Sequence, residues 1–408
     1  MGTPQYDIIL FGATSFVGNI LTAYMMEQYP DSQGVTWAMA GRSETKLNAL
    51  KDAHQAHNIP HIIADAADPQ QLEAMVKQTK VIISTVGPYA LYGEPLVKAC
   101  VENGVDYCDL TGEVQWYKRM VDKYETTAKQ KGARIVHCSG FDSIPSDLGV
   151  YFLQQQAQAK FGEPCTEVKL GVAKLKGGAS GGTVASMVNI VKEAAKDSAL
   201  RKELKNPYSV CPSGHGFTRR QVNVNGAIYD EDFQQWLGPF VMAAINTRVV
   251  HRSNALSGNA YGDDFAYSEA MLMGRGGKGK SRARNMGWGL GVFMVMAAIG
   301  PTRWILEKFI LPKPGEGPTP EEQLKGGFEY RFVGKTQSGK KLSVKVTGDR
   351  DPGYGCTAKM LGQAAVCLAN ISKQDKSGGF WTPATIYQDD LIQRLIDKSG
   401  LTFEIINE

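Results

Sequence analysis

The 408-residue chain has no run of 18 uninterrupted apolar residues, so a simple membrane-spanning helix is not expected of it. It has no C-x-x-C pair. Its cysteines number seven, an odd count that argues against a disulfide framework and for reduced thiols, most of them small buried hydrophobes, in an intracellular protein. There is little net charge: 45 Lys and Arg against 41 Asp and Glu leave +4, too slight for nucleic acid to be the main partner. Neither a Walker phosphate loop nor a nucleophile elbow is present, and no internal repeat is visible. His54, His57 and His61 have metal-like spacing, but His61 opens a strand while the other two lie on the preceding helix. No cysteine or acid completes a set, so no metal is expected. The first strand begins almost at residue 1, which leaves no room for a signal peptide and makes a cytoplasmic protein the expectation.

What is present begins with "ILFGATSFVG", Ile9 to Gly18. An apolar run from Tyr6 to Phe11 reads as a short buried strand, stopped by Gly12. From Phe16 to Tyr29 the apolar residues recur at helical spacing, until Pro30. The turn Gly12-Ala13-Thr14-Ser15-Phe16-Val17-Gly18 thus joins a strand to a helix N-terminus, where free N–H groups and a partial positive charge suit a phosphate. Gly12 permits the tight turn and Gly18 allows close helix–strand packing. Ser15 stands where a third glycine would admit a pyrophosphate, and its hydroxyl can donate to a phosphate oxygen. The same residues also suit an ordinary strand–turn–helix. The second strand, Val35 to Ala40, ends in Gly41-Arg42-Ser43, with Lys46 one turn on. An NAD site would place an acid about 20 residues past the glycines. A guanidinium there suits a 2′-phosphate instead, which favours NADP.

Strands and helices keep alternating to about residue 149: "HIIADAAD" ending at Asp65, "KVIISTVGPY", "VDYCDL" and "ARIVHCSGF" are strands, with helices between. This rhythm predicts an α/β fold, a doubly wound parallel sheet of Rossmann type. Beyond residue 150 it breaks. "TEVKLGVAKLKG" alternates like a half-exposed strand, and "FEYRFVGKTQSGKKLSVKVTG" reads as a hairpin. A second, α+β domain built on an antiparallel sheet is expected over 150–355, and residues 356–408 are expected to form helices that pack back on the first domain.

The stretches "GATSFVG", "AGRSETKL", "STVGPYALYGEPLVKACVENGVDYCDLTGE", "SGFDSIPSDLG", "PGEGP" and "DPGY" resemble the saccharopine dehydrogenase-like oxidoreductases. The resemblance is closer to the lipid-linked branch, such as the bacterial trans-acting enoyl reductases, than to saccharopine reductase itself. It implies a Rossmann domain over 1–149, bound NADP and a reductase-type reaction, with Asp65 near the adenine; Asp65 equally suits a helix cap. Family members commonly carry glycine where Ser15 stands.

Ligands in such sheets lie beyond the carboxyl ends of the strands. There stand Thr85, Val86, Gly87 and Pro88, with Gly87 letting backbone approach the nicotinamide ribose and Pro88 stiffening the turn. Hydride addition leaves charge that calls for a proton donor. Tyr89, Asp142 and Ser143 are the candidates, Tyr89 being also suited to packing on the cofactor. Asp109 and Glu113 flank "LTG" as a carboxylate pair, Glu113 also suiting a helix start. Ser146 and Asp147 are expected to cap the next helix.

Finally, five basic and no acidic residues between Gly274 and Arg284 precede an apolar run, Met286 to Ile299, that resumes from Trp304 to Leu311. This segment, 286–311, suits a membrane interface or a lipid tunnel. It equally suits a buried core or homodimer helix. The substrate expected is a small, lipid-like molecule. Imine chemistry of the opine or saccharopine type would need paired cations for substrate carboxylates, and the second domain offers no such cluster. A non-catalytic, lipid-associated protein is the third reading.

Overall fold

The computed structural model describes residues 4–31, 34–178, 181–311 and 316–406. The chain divides into two compact units, one of 1–142, 315–317 and 353–400, the other of 143–314, 318–352 and 401–408. Pro314 and Gly315 of the "PGEGP" stretch lie outside the described residues.

In chain order the elements begin β1 (Tyr6–Phe11), α1 (Phe16–Gln28), β2 (Trp37–Gly41), α2 (Glu44–His54), β3 (His61–Ile63) and α3 (Pro69–Val76). They continue β4 (Thr79–Ser84), α4 (Tyr89–Tyr92), α5 (Glu94–Glu102), β5 (Asp106–Asp109), α6 (Val114–Lys131) and β6 (Arg134–Val136). The other unit then opens with α7 (Ile144–Phe161), β7 (Cys165–Lys176), α8 (Gly181–Lys196), α9 (Ser198–Lys205), β8 (Ile228–Asp230), β9 (Gln235–Gly238), α10 (Ala243–Leu256) and β10 (Ala266–Leu272). It goes on through α11 (Gly276–Ala298), α12 (Gly300–Ile305), a π-helical turn Leu306–Ile310, α13 (Pro320–Leu324), β11 (Gly327–Thr336) and β12 (Lys341–Gly348). After a second π turn come α14 (Thr357–Asn370), β13 (Gly379–Trp381), α15 (Pro383–Ile386), α16 (Gln388–Ser399) and β14 (Leu401–Ile406).

The first unit holds a parallel sheet in the order β13-β6-β5-β4-β1-β2-β3. Its central strands are aliphatic and buried on both faces, as a sheet covered by helices on both sides requires. Leu10 of β1 is in register with Met39 of β2 and Ile83 of β4, so the strand order reverses between β1 and β4. A doubly wound sheet binds its ligand at that reversal. The seventh strand, β13, comes from the C-terminal part of the chain and pairs with β6 through Phe380 and Ile135. Its three residues are too few for periodicity to reveal. Apolar α14 packs on α1 and on strands β4 and β5. Its C-terminal end is held by Arg134, which donates to the Leu368 and Ile371 carbonyls while pairing with buried Asp106 at 2.5 Å.

The second unit holds a sheet in the order β14-β12-β11-β7-β10-β9-β8. The expected hairpin is there: β11 and β12 pair antiparallel, and Gly339 at φ +87° closes the turn. The sheet is mixed rather than purely antiparallel, because β7 and β10 run parallel. The helices between those two strands form the long crossover that a parallel pair demands.

Candidate active site

The turn after β1 is built from what cannot be present. Gly12 has φ +87°, and a β-carbon there would stand 2.7 Å from both Thr85 Oγ1 and Val86 Cγ2. A β-carbon on Gly18 would stand 2.1 Å from the Gly12 carbonyl oxygen. Side chains are thereby excluded at both ends of the turn, and α1 starts directly against the ends of β1 and β4. Ser15 is the N-cap of α1, accepting from the Gly18 N–H at 2.9 Å. Thr85 Oγ1 donates to the Gly12 carbonyl at 2.9 Å, so the Ser15 hydroxyl, 3.0 Å away, gives its proton to Thr85. The first-turn N–H groups of Phe16 and Val17 have no partner among the described residues, and Ala13, buried, fixes the turn's base. Thr14 through Val17 are half-buried, forming an open rim. The turn thus offers free backbone donors at a helix N-terminus and is closed to side chains, features that suit a phosphate.

Arg42 is exposed at the end of β2 and has no ion pair among the described residues. Ser43 caps α2, accepting from the Lys46 N–H at 3.4 Å, and Lys46 is exposed. Asp65, half-buried past β3, accepts from the Ala67 N–H at 2.9 Å in a local turn. Asp68, three residues on, is the cap of α3. Past β4, Thr85 is buried, Val86 and Pro88 are half-buried, Gly87 is exposed, and the Gly87–Pro88 bond is cis.

Tyr89 is buried, its ring 5.3 Å from that of Trp116. Its hydroxyl donates to the Ser84 carbonyl at 2.9 Å. Burial, reinforced by the Asp109 charge, holds the phenol well above its ordinary range. Glu113, fully buried, accepts from the Tyr89 and Ala90 N–H groups at 2.8 and 3.1 Å. It thus caps short α4 with its side chain while standing at the start of α6.

A pair that the sequence did not single out lies at the ends of β5 and β6. Asp109 Oδ2 is 2.7 Å from His137 Nδ1, and both residues are fully buried. The rings of Trp116 and Tyr117 enclose the imidazole with centroids 4.7 and 4.8 Å away, and His137 Nε2 finds no hydrogen-bond partner among the described residues. The available signal was a histidine immediately past a strand on the ligand side of the sheet. Beyond β6 stands Asp142, half-buried. Burial, and after it the negative charge of Asp109, pushes its carboxyl up to about 7. Its neutral form is thereby favoured far above the ordinary carboxylate range.

Ser143 belongs to a buried network of the second unit. Its hydroxyl donates to Asn246 Oδ1 at 3.1 Å, and Asn246 Nδ2 donates to Ser146 Oγ and to Glu269 Oε2. Asp147 accepts from Ser253 at 2.6 Å. Ser146 and Asp147 therefore tie α7 to its neighbours instead of capping it, because polar groups buried this deeply require partners. All seven cysteines are free thiols, six of them buried. Among the described residues, no group of three His, Cys, Asp or Glu could hold a metal.

A glycine-cornered turn with free backbone donors, at the reversal point of a parallel sheet, is the architecture of a dinucleotide-binding domain. Residues 8–136 match the family described as the saccharopine dehydrogenase NADP binding domain. A Mycobacterium tuberculosis protein provisionally named as a trans-acting enoyl reductase is 37% identical over 406 residues, covering 96% of each chain. A Mycobacterium ulcerans protein named trans-acting enoyl reductase is 34% identical over 408 residues, again covering 96% of each. The fold is shared with apo saccharopine dehydrogenase (L-Glu forming) from Saccharomyces cerevisiae, at a TM-score of 0.53 and 12% identity over 98% of this chain and 100% of that one. The chain belongs to the saccharopine dehydrogenase-like oxidoreductases, in the branch of the trans-acting enoyl reductases.

Proposed function

We propose that this enzyme reduces the carbon–carbon double bond of an α,β-unsaturated acyl substrate, with Asp142 as the proton donor. The likeness over 96% of the chain to relatives named trans-acting enoyl reductase carries the reading. For the donor, Asp142 stands just beyond β6, and burial and the Asp109 charge raise its carboxyl. When bound, NADPH supplies a hydride to the β-carbon of the substrate. Gly12, Gly18 and the N–H groups of Phe16 and Val17 seat its pyrophosphate, and Arg42 its 2′-phosphate. Thr85 to Pro88 line the nicotinamide ribose. The electron pair left at the α-carbon then needs a proton. Protonated Asp142 gives it, becomes the carboxylate and regains a proton before the next turnover. Tyr89 is the weaker donor, since its proton is engaged with Ser84. The Ser143 hydroxyl is likewise engaged, with Asn246. The test is NADPH oxidation with enoyl thioesters of graded chain length, the product checked by mass for two added hydrogens. No oxidation at any chain length would overturn the reading.

Arg42→Ala is expected to weaken NADPH binding roughly 10- to 100-fold, the loss of a charge-assisted contact of about 1.5–3 kcal/mol. NADH binding should be unchanged. A fluorescence titration with both cofactors checks this, and equal losses would remove Arg42 from the site.

The reading extends to a lipid-like substrate and peripheral membrane contact. No single described helix is long and apolar enough to cross a membrane, but α11 and the α12 segment with its π turn form a pair bent by 105°. That pair exposes Trp288 (73%), Trp304 (54%) and Phe309 (67%) to solvent. The five cations from Arg275 to Arg284 have no ion pair among the described residues. Aromatic residues beside cations favour the headgroup boundary of an anionic bilayer. Co-sedimentation with anionic vesicles is expected at low salt and should weaken as salt rises. A folded parent that stays in the supernatant at low salt, and runs as a dimer by light scattering, would instead make this face a contact between two copies.

A further inference from the structure

Along α11 runs a groove of about 580 Å³ that the chemistry at the sheet of the first unit does not use. Its floor is made by Gly287 and Gly291, one helical turn apart, and its walls by Trp288, Val292, Val295 and Met296. The backbone of Asn225–Gly226 closes one side, pressing so near that a β-carbon on Gly287 would lie 3.2 Å from the Asn225 carbonyl oxygen. Arg284 lies at one end, exposed and without an ion pair among the described residues. The lining is therefore apolar along its length and cationic at one end.

We infer that this groove binds a single long-chain fatty-acyl tail, with its anionic head at Arg284. From Arg284 to Met296 the helix advances about 18 Å, the reach of a long-chain acyl group. The groove is open to solvent, with Trp288, Val292 and Val295 largely exposed, so it would cover one side of an extended chain. A single unpaired guanidinium sets the chain's orientation, since a carboxylate would pair with it in bidentate fashion. The inference rests on the reading of the substrate class as lipid-like, but it concerns binding alone.

Two glycines of the same helix make it testable. Neither Gly289 nor Gly291 has any atom within 4 Å of an added β-carbon, and both lie inside α11. Only Gly291 lines the groove. Gly291→Leu should fill the groove without straining the fold, and Gly289→Leu should place the same side chain outside it. The measurement is calorimetric titration of the full chain with sodium palmitate below its aggregation threshold, with hexadecanol as the uncharged counterpart. The parent and Gly289→Leu should bind palmitate alike. Gly291→Leu should bind it at least tenfold more weakly, and Arg284→Gln should lower palmitate affinity to that of hexadecanol. Absence of palmitate binding by the parent, equal binding by the two leucine variants, or binding of anionic vesicles alone would overturn it. So would a monomer–dimer change on Gly291→Leu, which would mean that a second copy covers the groove. NADPH oxidation by the same variants separates the two proposals. A dead groove with live enoyl reduction sinks only this one, and palmitate binding with no reduction of any enoyl thioester sinks only the other.

Discussion

Gly18→Ala is expected to reduce NADPH affinity by at least 100-fold, about 2.8 kcal/mol. One added methyl group has this effect because of where it would go. The β-carbon would lie 2.1 Å from the Gly12 carbonyl oxygen and 2.8 Å from the Ala13 backbone. Backbone cannot yield as a side chain can, so α1 must shift away from β1 and carry its free N–H groups out of position. Gly12→Ala attacks the same turn differently. A side chain at φ +87° costs roughly 1–2 kcal/mol by itself, and the new methyl would meet the Thr85 and Val86 side chains at 2.7 Å. Because Thr85 is bonded to both Ser15 and Gly12, displacing it undoes the cap of α1. Cofactor titration by fluorescence, paired with circular dichroism and thermal melting, separates loss of the site from loss of the fold. Gly34→Ala, at a turn with nothing within 4 Å of the new carbon, controls for the strain of a left-handed glycine alone. If Gly18→Ala is folded and binds NADPH like the parent, the turn is not the phosphate site.

Asp142→Asn is expected to lower the rate of enoyl reduction by 10²- to 10⁴-fold, the usual contribution of a positioned proton donor. NADPH affinity should be retained. The carboxyl titrates at about 7 in the folded protein against an ordinary 3.8, so folding favours its neutral form. As pH rises through about 7 the donor is lost, and the parent's rate should fall by about tenfold per unit above that point. The consequence for stability has the same sign. A raised carboxyl costs the folded state nothing below 3.8, and the cost accumulates up to about 7 and then levels off. Asp142→Asn removes the ionisable group, so its stability relative to the parent should rise with pH across that interval. Rate and melting temperature measured at several pH values test both halves. Tyr89→Phe serves as comparison, losing about 0.5–1.5 kcal/mol with the Ser84 bond but keeping its turnover within a few fold. A tenfold-per-unit fall in rate that survives in Asp142→Asn would assign the proton to another group.

The parallel sheet was legible in the sequence because each strand from Tyr6 to Val136 is a short apolar run stopped by glycine, proline or a polar cluster, and each intervening helix carries the longer period. The glycines of the first turn were legible by type and place. The β11–β12 hairpin was legible from alternation around Gly339. Other features left no local trace. Strand β13 has three residues and gains its identity only from β6 beside it. The parallel pairing of β7 with β10 is a choice between partners about a hundred residues apart, and alternation looks the same in either direction. Ser146 and Asp147 have the sequence pattern of a capped helix start, yet buried neighbours claim both side chains.

The sequence alone thus determined what depends on nearest neighbours along the chain: where strands and helices fall, which turn must be glycine, where a guanidinium replaces an acid at the end of β2, and where cations give way to an apolar run. The tertiary structure alone decided what depends on neighbours in space. It turned the Tyr89 hydroxyl toward the Ser84 carbonyl and used Glu113 to cap α4. It also buried His137 against Asp109, and placed the charge of Asp109 where it raises Asp142. The reason is that a side chain's acidity is set by the desolvation and charges around it, and these come from residues that folding, not sequence order, brings together.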